Sequence, residues 1–114
     1  MTQRESFRLL MQQHIRAPFY RRALDLAQSD PAVDPQDRTA ARREYARFFR
    51  TYSASCRRAA MLIDRLEHPS QHRVLTLRYV MGLPWKEVAD HTGYSLSHVM
   101  RLHRDGMNAL LEKS

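Results

Sequence analysis

The sequence predicts an all-α protein, with a helical N-terminal region, a long central helix and a C-terminal helix-turn-helix. Three observations carry that reading. Apolar residues recur at steps of three and four along most of the 114 residues, which is the period of a helix face. No stretch alternates apolar and polar residues as a half-buried strand would. Glycine occurs only three times, and two of the three fall where a helix would end.

The elements follow in order. Residues 4–28 carry a stripe of Phe7, Leu10, Met11, His14 and Ile15, then Tyr20, Ala23, Leu24 and Ala27. Pro18 interrupts it. Proline inside a helix costs ~3 kcal/mol or more, so a kink or break is expected near Ala17. Residues 29–36 contain two Asp-Pro pairs and no periodicity, and read as a linker. Asp34 suits an N-cap and Pro35 the first helical position. A long helix is then expected over 35–68, stopped by Pro69. Its stripe of Tyr45, Phe49, Tyr52, Cys56, Ala59, Ile63 and Leu66 steps by four and three, a heptad seam, and Phe48, Ala60 and Leu62 widen it. At ~1.5 Å per residue such a helix is about 50 Å long. It therefore either projects, or packs on the N-terminal helices, or pairs with a second copy as a homodimer. The Tyr, Phe, Cys and Ala content suits intramolecular packing better than a zipper.

Ser70 is placed to cap the next helix, which ends with Gly82 in the C′ position. Pro84 fits the first turn of a helix over 85–92. Ser95 caps the one after it. Gly106 predicts a weakened or bent helix near Asp105, since glycine costs ~1 kcal/mol against alanine in a helix interior, with Met107, Leu110 and Leu111 folding back on the domain. The organisation expected is thus a helical region over 1–69 and a DNA-binding unit over 70–114.

The segment 85–104, WKEVADHTGYSLSHVMRLHR, has helix-turn-helix spacing. Ala89 sits where the two helices touch, Gly93 sits in the turn, and Val88, Val99 and Leu102 form the shared core. What remains outward is suited to a DNA groove. Arg101 can donate two hydrogen bonds to a guanine edge. Ser97 and His98 can bond base edges or phosphate, and Leu96 can contact a thymine methyl. Ser95 at the helix start favours a phosphate oxygen. Lys86 and Arg104 complete the set, Lys86 reaching the backbone from the bracing helix.

These residues also resemble a known family. The run from His72 to Lys113 is similar to region 4 of sigma-70-type factors. It shares an aliphatic helix ending in Arg-Tyr (Leu75, Leu77, Arg78, Tyr79), the Glu-Val-Ala of the bracing helix (Glu87, Val88, Ala89) and the tail pair Ala109-Leu110. It resembles still more closely small phage-encoded sigma-like regulators of the ArpU and RinA type. These share Trp85, the Gly93-Tyr94-Ser95 turn and the Arg101-Leu102-His103 run. The resemblance covers residues 70–113 and only the general character of 1–69. It implies a phage or prophage transcription regulator, double-stranded DNA and RNA polymerase as partners, and base reading by Leu96, Ser97, His98, Met100 and Arg101. Leu96 and Ser97 stand where the family carries an Arg-Glu pair, and Gly106 where alanine is usual.

The composition agrees. There are 19 Lys and Arg against 12 Asp and Glu, a formal charge of +7, which favours polyanionic partners through counterion release. The surplus is uneven: residues 35–68 hold eight arginines and four acids, whereas 69–114 hold six basic and four acidic residues. Cys56 is the lone cysteine, so no intramolecular disulfide is available. No apolar run reaches the ~20 residues of a membrane span and the N-terminus lacks a signal-peptide core, so a cytoplasmic location is expected. His68 and His72 have Pro69 and Ser70 between them and no partner set, so neither metal nor cofactor is expected. Nothing arranges Ser, His and Asp for catalysis, so no enzyme activity is expected. Two other functions share these features: a small-terminase-like DNA-packaging subunit, and a protein-interaction module.

Overall fold

A computed structural model describes residues 1–112, which are helical with no strand among them. The last two residues of the predicted C-terminal unit, Lys113 and Ser114, lie outside the described residues. The helices are α1 (Gln3–Ser29), α2 (Pro35–Ile63), α3 (Pro69–Leu75, continuing into a π-helical turn over Thr76–Val80), α4 (Trp85–Thr92) and α5 (Leu96–Glu112).

Helix α1 starts from a capping box, in which the Thr2 hydroxyl accepts from the Glu5 N–H and the Glu5 carboxylate from the Thr2 N–H. It does not break at Pro18, contrary to the expectation from propensity. The proline removes one backbone bond, but both flanks are held from outside. Phe7 and Leu10 are buried on one side. On the other, Tyr20 stacks on Phe48 of α2 with ring centres 4.2 Å apart. Packing of that kind outweighs a local defect. The stripe itself is only partly used: Ile15 is exposed, and Gln13, which it omitted, is buried.

The loop and start of α2 are as expected: the Asp34 carboxylate accepts from the Gln36 N–H at 2.8 Å, with Pro35 in the first turn. The end of the helix is not. It stops at Ile63, five residues before the predicted His68. A turn follows, closed by Arg65 N–H to the Leu62 carbonyl and Leu66 N–H to the Ile63 carbonyl at 3.1 and 2.9 Å. The turn keeps Leu66 in the core, so the seam outlives the helix that was inferred from it. Pro69 therefore opens α3 and does not terminate α2. Its cap is His68, whose Nδ1 accepts from the Gln71 N–H at 3.3 Å. Ser70, the predicted cap, instead bonds the Tyr94 hydroxyl at 3.0 Å.

Most of the seam faces α1 and the C-terminal helices of the same chain. Ala59, Ile63 and Leu66 are buried there with Phe7, Leu10, Leu75, Tyr79, Met107 and Leu110. Cys56 is half-buried at the edge of this cluster, and that burial pushes its thiol pKa up. A second cluster of Val74, Val88, Val99 and Leu102 lies between α3, α4 and α5. No residue from 14 to 54 is buried, so the far half of the α1–α2 hairpin stands outside both clusters.

Two glycines have specific duties. Gly82 takes φ +74°, as the C′ position requires, and lies under the His14 ring, where a Cβ would sit 2.7 Å from it. Helix α5 runs through Gly106 without interruption, contrary to the predicted weak point. A Cβ at Gly106 would lie 2.5 Å from Leu75 Cδ1. The glycine is a contact surface that lets α3 and α5 touch, and its propensity cost is offset by that contact. Met107 and Leu110 pack back as expected.

Candidate nucleic-acid interface

The short helix α4 begins after Pro84, which takes the N-cap place just before the first turn. It ends at Gly93, whose φ of +74° is the left-handed conformation that glycine adopts without strain. The Gly93 N–H donates to the Ala89 carbonyl at 2.9 Å. Thr92 steadies the exit, its hydroxyl donating to the Val88 carbonyl at 2.9 Å and accepting from the Tyr94 N–H at 3.3 Å. Ser95 then caps α5, its Oγ accepting from the His98 N–H at 3.1 Å. Val88 and Val99 are fully buried and Leu102 nearly so, with Ala89 against them. The predicted shared core is thus present, residue for residue.

Further contacts fix this pair on the rest of the chain. Arg73 of α3 donates to the His91 carbonyl at the end of α4, 2.8 Å away. That bond satisfies a carbonyl which the helix end leaves free. At the other end of α4, the Arg78 guanidinium lies 4.4 Å from the Trp85 ring centre and donates to the Leu83 carbonyl at 3.0 Å. Trp85 packs edge-on against His103 of α5 at 4.7 Å. Arg78 and Trp85 are marks of family resemblance in the sequence. Their function in the fold is to clamp the start of α4 to the middle of α5.

The predicted contact residues are mostly outward. Ser95 at the cap and Leu96, Ser97, Arg101 and Arg104 on α5 are exposed, and Lys86 is exposed on the first turn of α4. Leu96 is 53% and Met100 41% exposed, so two apolar side chains stand open on the same face as the polar ones. His98 is only half exposed, because its ring leans on Tyr94 with centres 4.5 Å apart. Arg101 has no acidic partner among the described residues, whereas Arg104 is paired with Asp105 at 3.2 Å. The free guanidinium closest to the start of α5 is therefore Arg101. Among the described residues no group of three or more His, Cys, Asp or Glu is placed to hold a metal, and no helix is long and apolar enough to cross a membrane.

Residues 63–112 match the family model of sigma-70, region 4. The matched segment starts at Ile63 and takes in α3, α4 and α5, so the buried Ile63 and Leu66 belong to it as well. No curated protein and no solved structure matches the chain. The match, on a helix pair with this geometry, gives the segment the character of a DNA-binding helix-turn-helix of the transcription class.

One half-buried titratable group lies behind the interface. His103 Nε2 and the Tyr79 hydroxyl are 2.7 Å apart. Burial, then the positive charges of Arg78 and Arg4, lower the His103 pKa from 6.5 to about 4. The folded protein therefore refuses a proton that the unfolded chain accepts. Its stabilising effect is complete above pH ~6.5 and is lost as pH falls towards 4. The full conversion is about 1.4 kcal/mol per pH unit, but solvent reaches the ring and screens the charges around it, so the loss is expected to be about 1–2 kcal/mol. Thermal melts between pH 7 and 4.5 would read it, and His103→Gln should flatten that slope.

Proposed function

We propose that this protein is a sequence-specific DNA-binding transcription regulator of phage or prophage origin, working in the cytoplasm. Residues 70–114 form its DNA-binding part and residues 1–69 a helical support. The observation that carries this is the exposed face of the first two turns of α5, where Ser97 and Arg101, which has no acidic partner among the described residues, stand one turn apart next to Leu96. In this reading α5 enters the major groove. Arg101 reads a base edge, Ser97 and His98 bond bases or phosphate, Leu96 meets a thymine methyl, and Ser95, Lys86 and Arg104 take backbone phosphates.

The exposed Met100 beside Leu96 favours a second use of the same element, as a contact for RNA polymerase. A homodimer through α2 would have to rely on what the seam leaves uncovered, chiefly Phe49, and sedimentation would measure it directly.

Selecting binding sites from random duplex DNA tests the main reading. A defined consensus is expected. Arg101→Ala should then weaken the consensus complex by ~1–3 kcal/mol and relax one base position, leaving the thermal midpoint near that of the parent. Equal affinity for consensus and scrambled duplexes before any substitution would refute sequence reading. A transcription assay from a promoter carrying the consensus separates regulation from a packaging role.

A further inference from the structure

The reading helix is poorly supplied with charge for a DNA-binding protein, and the arginine surplus lies elsewhere. On α2, Arg43, Arg47, Arg50 and Arg57 follow one another at steps of four, three and seven. At about 100° per residue these positions fall within an arc of about 80°. The arc lies opposite Tyr52, Ala59 and Ile63, which face α1 and the core. All four arginines are exposed. The acids of the helix, Asp37 and Glu44, project outside the arc.

None of the four is neutralised by an ion pair among the described residues. On α2 itself the remaining arginines have local partners: Arg38 donates to the Asp30 carbonyl, Arg42 to the Thr39 hydroxyl and Arg58 to the Ser55 hydroxyl. Like charges at i,i+3 and i,i+4 destabilise a helix, and no ion pair among the described residues offsets that here. On or beside the arc, between the four, lie Ala46 and Ala54, so no bulky side chain holds a rod-like polyanion away. The four span about 21 Å of helix, a length over which B-DNA presents about six phosphates per strand.

We propose that this outer face of α2 is a second DNA contact, one that binds the phosphate backbone of duplex DNA without reading sequence. The inference rests on the reading of the chain as a duplex-DNA binder. It divides the work between α5, which discriminates, and α2, which supplies most of the salt-sensitive affinity.

The test uses the full chain on two duplexes, the selected consensus and a scrambled control, over a range of NaCl concentrations. A quadruple R43Q/R47Q/R50Q/R57Q variant should lose affinity for both duplexes by the same factor. Its slope of log K against log salt should fall by about three to four, at ~0.9 for each phosphate no longer neutralised. The ratio between the two duplexes should stay unchanged. The corresponding quadruple Arg→Lys variant should keep the slope, and circular dichroism should show equal helix content in all forms. A slope changed by less than one in the glutamine variant would overturn the proposal, as would a weakening confined to the consensus. Arg101→Ala keeps the two readings apart. If it removes discrimination while the glutamine variant binds like the parent, the α2 face fails and the reader stands. If the glutamine variant lowers the slope while Arg101→Ala leaves discrimination intact, the reader fails and the α2 face stands. Absence of any duplex binding at about 50 mM salt overturns both.

Discussion

A fragment consisting of residues 70–114 alone is expected to lack a cooperative thermal transition and to bind an apolar dye. The larger of the two core clusters explains why. Removing residues 1–69 takes Phe7, Leu10, Ala59, Ile63 and Leu66 away from Leu75, Tyr79, Met107 and Leu110. The fragment's own Leu75, Tyr79, Met107 and Leu110, all at 8% exposure or less in the full chain, thereby lose their cover. Each contributes about 1.5–3 kcal/mol through burial. The combined loss, roughly 6–12 kcal/mol, is comparable to the whole stability of an ordinary domain. The smaller cluster around Val88 and Val99 would survive, but a fragment of this length is marginal even with a complete core. Helix content by circular dichroism against temperature is the measurement. A sharp transition near that of the full chain would show that the segment stabilises itself.

Gly106→Val is expected to lower the stability of the full chain by about 3 kcal/mol, from overpacking. Helix propensity alone argues the opposite sign, since leaving glycine gains up to ~1 kcal/mol. The contact decides. The added carbon would meet Leu75 Cδ1 at 2.5 Å and Gln71 Cβ at 3.3 Å. Leu75 is fully buried, so turning its methyl aside displaces other core side chains, and a Cβ cannot move without its backbone. Gly106→Ala should destabilise less and in the same direction. Pairing it with Leu75→Ala should give less loss than the two single changes summed, because the shortened side chain vacates the collision. Urea denaturation of the four proteins would measure this coupling.

Much of the helix-turn-helix was legible because its requirements are local. The positive φ at Gly93, the cap at Ser95 and the 3.6-residue period of Val88, Val99 and Leu102 each depend on neighbours close in the chain. What the sequence misjudged depended on distant partners. Pro18 reads as a break until Tyr20 is seen stacked on Phe48. Gly106 reads as a weak point until Leu75 is placed against it. His68 outcompetes Ser70 for the cap of α3 because Ser70 is engaged by Tyr94 from beyond the end of α4. His14 is a similar case. The Tyr79 carbonyl can only accept, so His14 Nε2 donates to it at 2.7 Å; in the neutral ring Nδ1 then accepts from the Tyr52 hydroxyl at 2.6 Å. Both bonds span tens of residues, and no periodicity signals them. On the interface, the half-cover of His98 by Tyr94 and the pairing of Arg104 with Asp105 are the exception, since those partners lie only four and one residues away.

The uneven burial of the α1–α2 hairpin has a consequence for motion. Every buried residue of α1 lies in its first half and every buried residue of α2 in its last third. Beyond them the two helices are joined by half-exposed rings such as Tyr20 on Phe48. Opening free energies should therefore fall along the hairpin towards the Asp30–Asp34 loop. Amide hydrogen exchange should be slowest near Leu10 and Ile63 and fastest near the loop, with the transition close to Pro18. Arg43, Arg47 and Arg50 sit on the loosely held stretch and Arg57 near its root. The stripe is therefore anchored at one end and compliant at the other, like a cantilever; under the proposal above, that lets it follow a curved polyanion while α5 is held by the buried Val99, Leu102, Met107 and Leu110.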